Sequence, residues 1–412
     1  MNRVDLKGKG LTEVPKEVFD SPEAVEVLDL SNNDLSDLPD DLAKLKNLRI
    51  AFFSNNQFET YPSVLAECPR LSMVSLKENR LVQIDEGALN PDLRWLILSN
   101  NALEYLPNDF CQLAQLEKLA LAGNRLRELP AGLANLTSLG LARFSANQLT
   151  ELPRELLNLP NLAWLSFDGN PLVTPPPDDE SLPQFEEADF EIEALIGEGA
   201  SGLIYRARRK SDSLPVAIKF FKGEITSDGR PEDEKANCIF AGMHSNLVKL
   251  VGQMTHPTAL VFELVTDEFS NVGNPPSIDS CTRDVFSDQQ RRTPDIAKKI
   301  LSQACAALSH LHRKCLAHGD FYAHNLMANA DGETRMADFG ASTSLAGLSD
   351  AERQRVQQIE SRALGYLIDD LVASSGLEEE WIMDLKERCL APGVAQRPTP
   401  IQVSEIFTHH CR

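Results

Sequence analysis

Leucines along the first 170 residues fall in a fixed rhythm, L-x-x-L-x-L-x-x-N-x-L. It reads as Leu93, Leu96, Leu98, Asn101 and Leu103, and again as Leu116, Leu119, Leu121, Asn124 and Leu126. The asparagines closing the copies, Asn33, Asn56, Asn79, Asn101, Asn124, Asn147 and Asn170, are 23, 23, 22, 23, 23 and 23 residues apart. Gly10 holds the same phase one period earlier, which gives eight units with an irregular first. Alternating leucines predict a short strand in each unit, and stacked units bury a continuous leucine core. A helical heptad fails on the period and on the prolines that recur within it, Pro15, Pro39, Pro62, Pro107, Pro130 and Pro153. The Asn amide carries donors and an acceptor, so it can satisfy backbone groups where the chain leaves the strand.

This period and motif resemble the leucine-rich repeat family, which implies an α/β solenoid over residues 1–174. In such an array the exposed strand positions carry function. The residue six before each Asn reads Val27, Ile50, Met73, Trp95, Lys118, Leu141 and Trp164. All but Lys118 are apolar, and stacking would line them up beside Phe52 and Ile97. Such a stripe on the concave face predicts a site for a protein partner or substrate, with the tryptophans as anchors; the alternative is that the protein's own second domain or a loop covers it. Pro175, Pro176 and Pro177, followed by Asp178-Asp179-Glu180, predict a short semi-rigid linker over residues 175–187.

Beyond the linker the pattern changes. Apolar strand-like runs occur at Ile192–Ile196, Val216–Lys219 and Ala259–Val265. Ile296, Ile300, Leu301, Ala304, Leu308 and Leu311 have helical spacing, and Ser349-Asp350-Ala351-Glu352 is a capping box opening another helix.

Composition narrows the partners. Net charge is −21. Through residue 187 there are 16 basic and 29 acidic residues, and after it 24 and 32, so both halves are acidic. That argues against nucleic acid or an anionic membrane. The eight cysteines include no Cys-x-x-Cys pair, which predicts neither a zinc site nor a disulfide framework. No apolar leader and no 18-residue apolar run occur, so a soluble, cytoplasmic protein is expected.

Chemistry concentrates in the second half. Gly197-Glu198-Gly199-Ala200-Ser201-Gly202 precedes the strand Val216-Ala217-Ile218-Lys219. His318-Gly319-Asp320 is followed by Asn325, five residues after the Asp, and then by Asp338-Phe339-Gly340. Strand, glycine turn and strand with V-A-I-K, then Asp, Asn and Asp-Phe-Gly in this order, resemble the protein kinase family; a dinucleotide fold would open a helix after the last glycine. The resemblance runs over about residues 190–408 and ends in Gln396-Arg397-Pro398-Thr399. It implies an α+β bilobal fold over 188–412, with a small lobe at 188–265 and a large lobe at 266–412. It also implies ATP and Mg²⁺ as cofactors. Asp320 is then the general base, Asn325 and Asp338 hold the metal, and Lys219 holds the α- and β-phosphates. Gly197, Glu198, Gly199 and Gly202 would lie over the phosphates. Ile204, Ala217 and Met327 would wall the adenine, Phe262 would be the gatekeeper, and Glu263 and Val265 would face the adenine edge. Glu234 is the carboxylate expected to orient Lys219, with Glu232 and Asp233 as alternatives.

Departures from the family pattern matter as much. Gly319 stands where most kinases have Arg, so control through an activation-loop phosphate is not expected. Tyr322 replaces the Lys usual in serine/threonine kinases, and Ala-Pro-Glu is missing after Gly340, which predicts a severely shortened segment. Arg397, deprived of that Glu, should find another carboxylate or lie exposed. The leading expectation is a protein kinase, serine/threonine by base rate, whose array recruits substrate or partner. A small-molecule phosphotransferase, suggested by His-Gly-Asp-x-x-x-x-Asn, and a nucleotide-binding pseudokinase are the alternatives.

Overall fold

Each leucine copy yields a three-residue strand: β1 (Arg3–Asp5), β2 (Val27–Asp29), β3 (Ile50–Phe52), β4 (Met73–Ser75), β5 (Trp95–Ile97), β6 (Lys118–Ala120), β7 (Leu141–Arg143) and β8 (Trp164–Ser166). The computed structural model describes residues 2–177, 181–199, 201–223, 225–226 and 228–411. Asp178, Asp179 and Glu180 of the expected linker, and Ala200 of the glycine turn, lie outside the described residues. The chain divides into two units, Met1–Leu162 with Asn170–Leu172, and Ala163–Gly169 with Val173–Arg412.

In the first unit β1 to β7 pair in parallel and in register, Val27 opposite Ile50, Ile50 opposite Met73, and so on to Lys118 opposite Leu141. Leucines such as Leu28, Leu42, Leu96 and Leu119 are buried beneath them. The asparagines form a ladder. Asn124 donates from Nδ2 to the Leu98 and Leu121 carbonyls at 3.0 and 2.9 Å, and its Oδ1 accepts the Leu103 amide at 3.1 Å. Asn56, three periods earlier, and Asn147, one period later, repeat this pattern along the array. The residue before each ladder Asn has a left-handed backbone: Asn32, Asn55, Glu78, Asn100, Gly123, Ala146 and Gly169 all have φ between 54° and 72°. Asn and Gly suit that conformation; Glu78 and Ala146 adopt it against their Cβ.

The expected apolar stripe is not exposed. Val27, Ile50, Met73, Trp95, Leu141 and Trp164 are all buried, and Phe52 and Ile97 are half-buried. Register supplies a physical reason: large side chains at equivalent positions stand about 4.8 Å apart and cover each other's flanks. The Lys118 ammonium also lies 4.9 Å from the Trp95 ring centroid. Trp164 is a further correction, since β8 groups with the second unit and its side chain packs there.

The second unit opens on a six-stranded sheet. Its strands are β9 (Gln184–Phe185), β10 (Phe190–Glu198), β11 (Gly202–Arg209), β12 (Pro215–Phe221), β13 (Leu250–Met254) and β14 (Ala259–Glu263), in the order β10-β11-β12-β14-β13-β9. Helix α1 (Pro231–Ala241) runs between β12 and β13 in sequence. The end of the expected linker is thus a strand: β9 pairs in parallel with β13, and Phe185 fills space that only Gly252 leaves, a Cβ there falling 2.4 Å from its ring.

The remainder is mainly helical. Short β15 (Ser270–Asn271) precedes α2 (Pro294–Arg313), β16 (Leu316–Ala317), β17 (Leu326–Ala328), β18 (Thr334–Met336) and β19 (Thr343–Ser344). Then come α3 (Asp350–Ser375), α4 (Glu380–Cys389) and α5 (Pro400–His410). Thr293 caps α2 through the Ile296 amide, and the Ser349–Glu352 capping box forms at the start of α3. That helix begins ten residues after Gly340, so the connection is as short as the sequence implies. Among the described residues no helix is long and apolar enough to cross a membrane.

Candidate functional site

Strand β12 carries Lys219 opposite Ile204 of β11, and Ala217 opposite Phe262 of β14. The two glycine-flanked strands meet in a turn closed by the Gly199 amide on the Gly202 carbonyl at 3.0 Å. Gly202 allows the close approach, since a Cβ there would lie 2.4 Å from the Phe220 carbonyl oxygen, whereas Gly199 has open space around it. Glu198, exposed at the end of β10 just before this turn, pairs its carboxylate with Lys222 at 2.6 Å. Phe262 is half-buried and Glu263 exposed, its carboxylate 2.8 Å from Lys249; Val265 follows just after β14, and Met327 lies on β17.

Lys219 is 9 % exposed and forms an ion pair with Glu234, the first buried carboxylate of α1. Pro231 opens the helix at its first position, and Glu234 lies on its buried face while Glu232 is exposed. The same ammonium lies 3.8 Å from Asp338. Burial opposes the charge on Lys219, but Asp338 and Glu234 outweigh it and hold its pKa above the usual lysine value. Desolvation would raise the Asp338 pKa; Lys219 first, then the Gly340 amide at 3.1 Å, bring it below the ordinary aspartate value. Asp338 is therefore a carboxylate at neutral pH. Its side chain is about half exposed, and its backbone is left-handed, φ 61°.

The loop between β16 and β17 carries the other two groups. Asn325 donates its Nδ2 to both the Asp320 carbonyl and Asp320 Oδ2 at 2.8 Å, which aims the carboxylate and leaves the amide oxygen as the atom available to a cation. His318 is fully buried; its Nδ1 accepts the Asp320 amide at 3.3 Å and its Nε2 faces the Ala337 carbonyl at 3.2 Å, so it supports the loop. Gly319 has φ 73°, and a Cβ there would meet the Ala341 carbonyl oxygen at 2.1 Å. The short path after Gly340 thus occupies the space a side chain would need. The Gly319 amide donates to buried Glu360 of α3 at 2.6 Å, and Glu360 also bonds His312.

Sequence reasoning missed several supports. Asp284 grips the loop by accepting the His324 amide at 3.1 Å and pairing with His324 Nδ1 at 2.7 Å. Burial would lower the His324 pKa, yet Asp284 raises it overall. Glu360 is another such support: a buried carboxylate on a helix needs a partner, here His312 and the Gly319 amide. Arg397 does not lie exposed. It is buried, and the bonds from its Nε to the Ala391 carbonyl and from Nη1 to the Gln358 carbonyl are to backbone. Burial first and Arg362 second pull its pKa down to about 10.

The donor set fits a nucleotide and a hard cation: a buried ammonium, open space beside Gly199, and oxygens from Asn325 and Asp338, which suit Mg²⁺. A family model for the protein kinase domain matches residues 190–359, and one for the leucine rich repeat matches 1–58 and 69–126. Serine/threonine-protein kinase pakH of Dictyostelium discoideum is 26 % identical over 164 residues, 39 % of this chain and 29 % of that protein. Aurora/IPL1-related protein kinase 2 of Caenorhabditis briggsae is 29 % identical over 157 residues, 37 % and 49 % of the two chains. Calcium/calmodulin-dependent protein kinase type IV of Mus musculus is 29 % identical over 160 residues, 37 % and 31 %. The chain thus spans between 29 % and 49 % of the length of these curated relatives.

Proposed function

We propose that this chain, a leucine-rich repeat array followed by a protein kinase domain, is an ATP- and Mg²⁺-dependent protein kinase that phosphorylates hydroxyl side chains, serine and threonine first. The observation that carries the reading is Lys219, buried between Glu234 and Asp338. Burying a lysine between carboxylates carries a desolvation cost, and its ammonium suits the phosphates of a nucleotide.

In this reading bound Mg²⁺–ATP supplies the transferable phosphoryl group. Lys219 holds the α- and β-phosphates, oriented by Glu234. Asn325 and Asp338 hold the cation. Asp320, aimed by the Asn325 amide, accepts the proton of the acceptor hydroxyl. Ile204, Ala217, Met327, Phe262, Glu263 and Val265 contact the adenine. The relative pakH is named a serine/threonine-protein kinase, which supports the acceptor class. The array recruits a protein through surface other than the buried strand positions.

The test is transfer from γ-labelled ATP by the full chain with Mg²⁺, offered generic protein acceptors or small alcohols, beside Asp320→Asn. Label on protein that disappears in the variant is the expected result. Label only on an added small alcohol would assign a metabolite acceptor instead, and ATP binding without transfer would leave a nucleotide-binding scaffold.

A further inference from the structure

Segment Ala163–Gly169 continues the Asn period of the array, yet it belongs to the second unit and grips two functional elements there. Trp164, 1 % exposed, stacks on Tyr322 with ring centroids 4.2 Å apart and planes 4° apart. Its indole Nε1–H donates to the Phe321 carbonyl at 3.0 Å, and Tyr366 of α3 stacks on it at 5.4 Å. Phe321 and Tyr322 directly follow Asp320. On the other side of Asp320, the Leu165 carbonyl oxygen lies 3.2 Å from where a Cβ on Gly319 would be. The segment therefore holds the loop just after Asp320 through Trp164 and passes close to it at Gly319, just before Asp320.

The second grip is on α1. Buried Asp168 accepts a hydrogen bond from Asn237, itself fully buried, and Asn237 also donates to the Ser342 carbonyl at 3.2 Å. Asn237 lies three residues after Glu234, about one helical turn away. Between the two grips the Phe167 amide donates to Thr343 Oγ1 at 3.2 Å, and just beyond them Ser344 Oγ donates to the Thr174 carbonyl at 2.7 Å. A buried tryptophan alone would be ordinary packing. A tryptophan on the loop of Asp320 and a carboxylate on the helix of Glu234, from one short segment beside a short connection after Gly340, are two separate constraints on one centre.

We infer that segment Ala163–Gly169 assembles the transfer centre, with Trp164 positioning the Asp320 loop and Asp168, through Asn237, positioning the helix of Glu234. Both are positioning residues, and the inference rests on the kinase reading above. The centre then needs no added phosphate to form, in keeping with a Gly319 that has no room for a side chain.

The two grips separate kinetically. In the full chain, Trp164→Leu lowers kcat about tenfold or more with the KM for ATP nearly unchanged, because the disturbed loop carries the base and not the nucleotide contacts. Asp168→Ala raises the KM for ATP several-fold with kcat nearly unchanged, because Glu234 loosens from Lys219. Asp168→Asn still offers Asn237 an acceptor oxygen and restores the KM. Amide hydrogen exchange follows in parallel, faster over residues 319–325 in the first variant and over α1 in the second. Unchanged kinetics and exchange, or equal losses in both parameters that track a fall in Tm, would overturn the inference. If the wild-type chain transfers no phosphoryl group, the kinase reading fails on its own, and the exchange patterns still decide whether the segment holds the two elements.

Discussion

The asparagine ladder of the first unit and the Lys219 cleft of the second both hold buried polar groups, but they leave those groups in opposite states. Asn124 spends its donors on two carbonyls and its acceptor on one amide, all backbone of its own array. The cleft instead retains capacity: Asp338 is about half exposed, and Asn325 commits its Nδ2 to Asp320 while its oxygen remains for a ligand. A polar group closed on the backbone fixes a shape. One held in place but incompletely bonded can exchange that shortfall for a ligand.

Substitutions should separate these two kinds of group. Lys219→Met keeps the bulk and removes the charge. It should lower phosphoryl transfer by about 10²- to 10³-fold, as loss of one preorganised charge does, and leave the unfolding of the array unchanged. Transfer at the wild-type rate would contradict the site assignment. Asn124→Ala should do the reverse. It strands two carbonyls and one amide, so the array should lose about 3 kcal/mol in chemical denaturation while ATP turnover by the folded chain persists.

Asp168 sharpens the comparison through pH, because it is a buried carboxylate with an ordinary hydrogen-bond partner. Burial first, then Asp233, raises its pKa from 3.8 to about 7. The folded form thus binds the proton more tightly than the unfolded form. Its contribution is fully present below about pH 4, declines between about 4 and 7 as only the unfolded chain ionises, and is lost above. Denaturation of the second unit should show Asp168→Asn gaining stability relative to the wild type as pH rises from 5 to 8; a constant difference would mean that Asp168 titrates normally.

The smallest expected effect belongs to the ladder. Ala146 has φ 54° where Gly123 and Gly169 serve the same position in other units. Ala146→Gly should stabilise the array by up to about 1 kcal/mol, read as a small rise in the denaturation midpoint; destabilisation would show that the Ala146 methyl contributes more packing than its backbone costs.

The ladder and the main motifs were legible in the sequence because they depend on local spacing. A 23-residue period places Asn56 beside the Leu30 carbonyl whatever the rest of the chain does. Likewise V-A-I-K, Asp320 with Asn325, and Asp338 sit on short elements whose order alone positions them. Burial of the strand positions was not legible, because Val27 to Leu141 look solvent-facing when each strand is read by itself. The partners of Trp164 and Asp168 escaped for another reason. Tyr322 and Asn237 are far away in sequence, and no local pattern marks a residue whose role is to hold another element. Gly319 was visible as a departure, but its cause, the Ala341 carbonyl in the place of a side chain, exists only in three dimensions.

The most direct measurement compares initial rates of γ-phosphoryl transfer by the full-length wild type, Asp320→Asn and Asn124→Ala, at a temperature where all three are folded. The account predicts that transfer is lost in Asp320→Asn and kept in Asn124→Ala. Transfer retained by Asp320→Asn would contradict it.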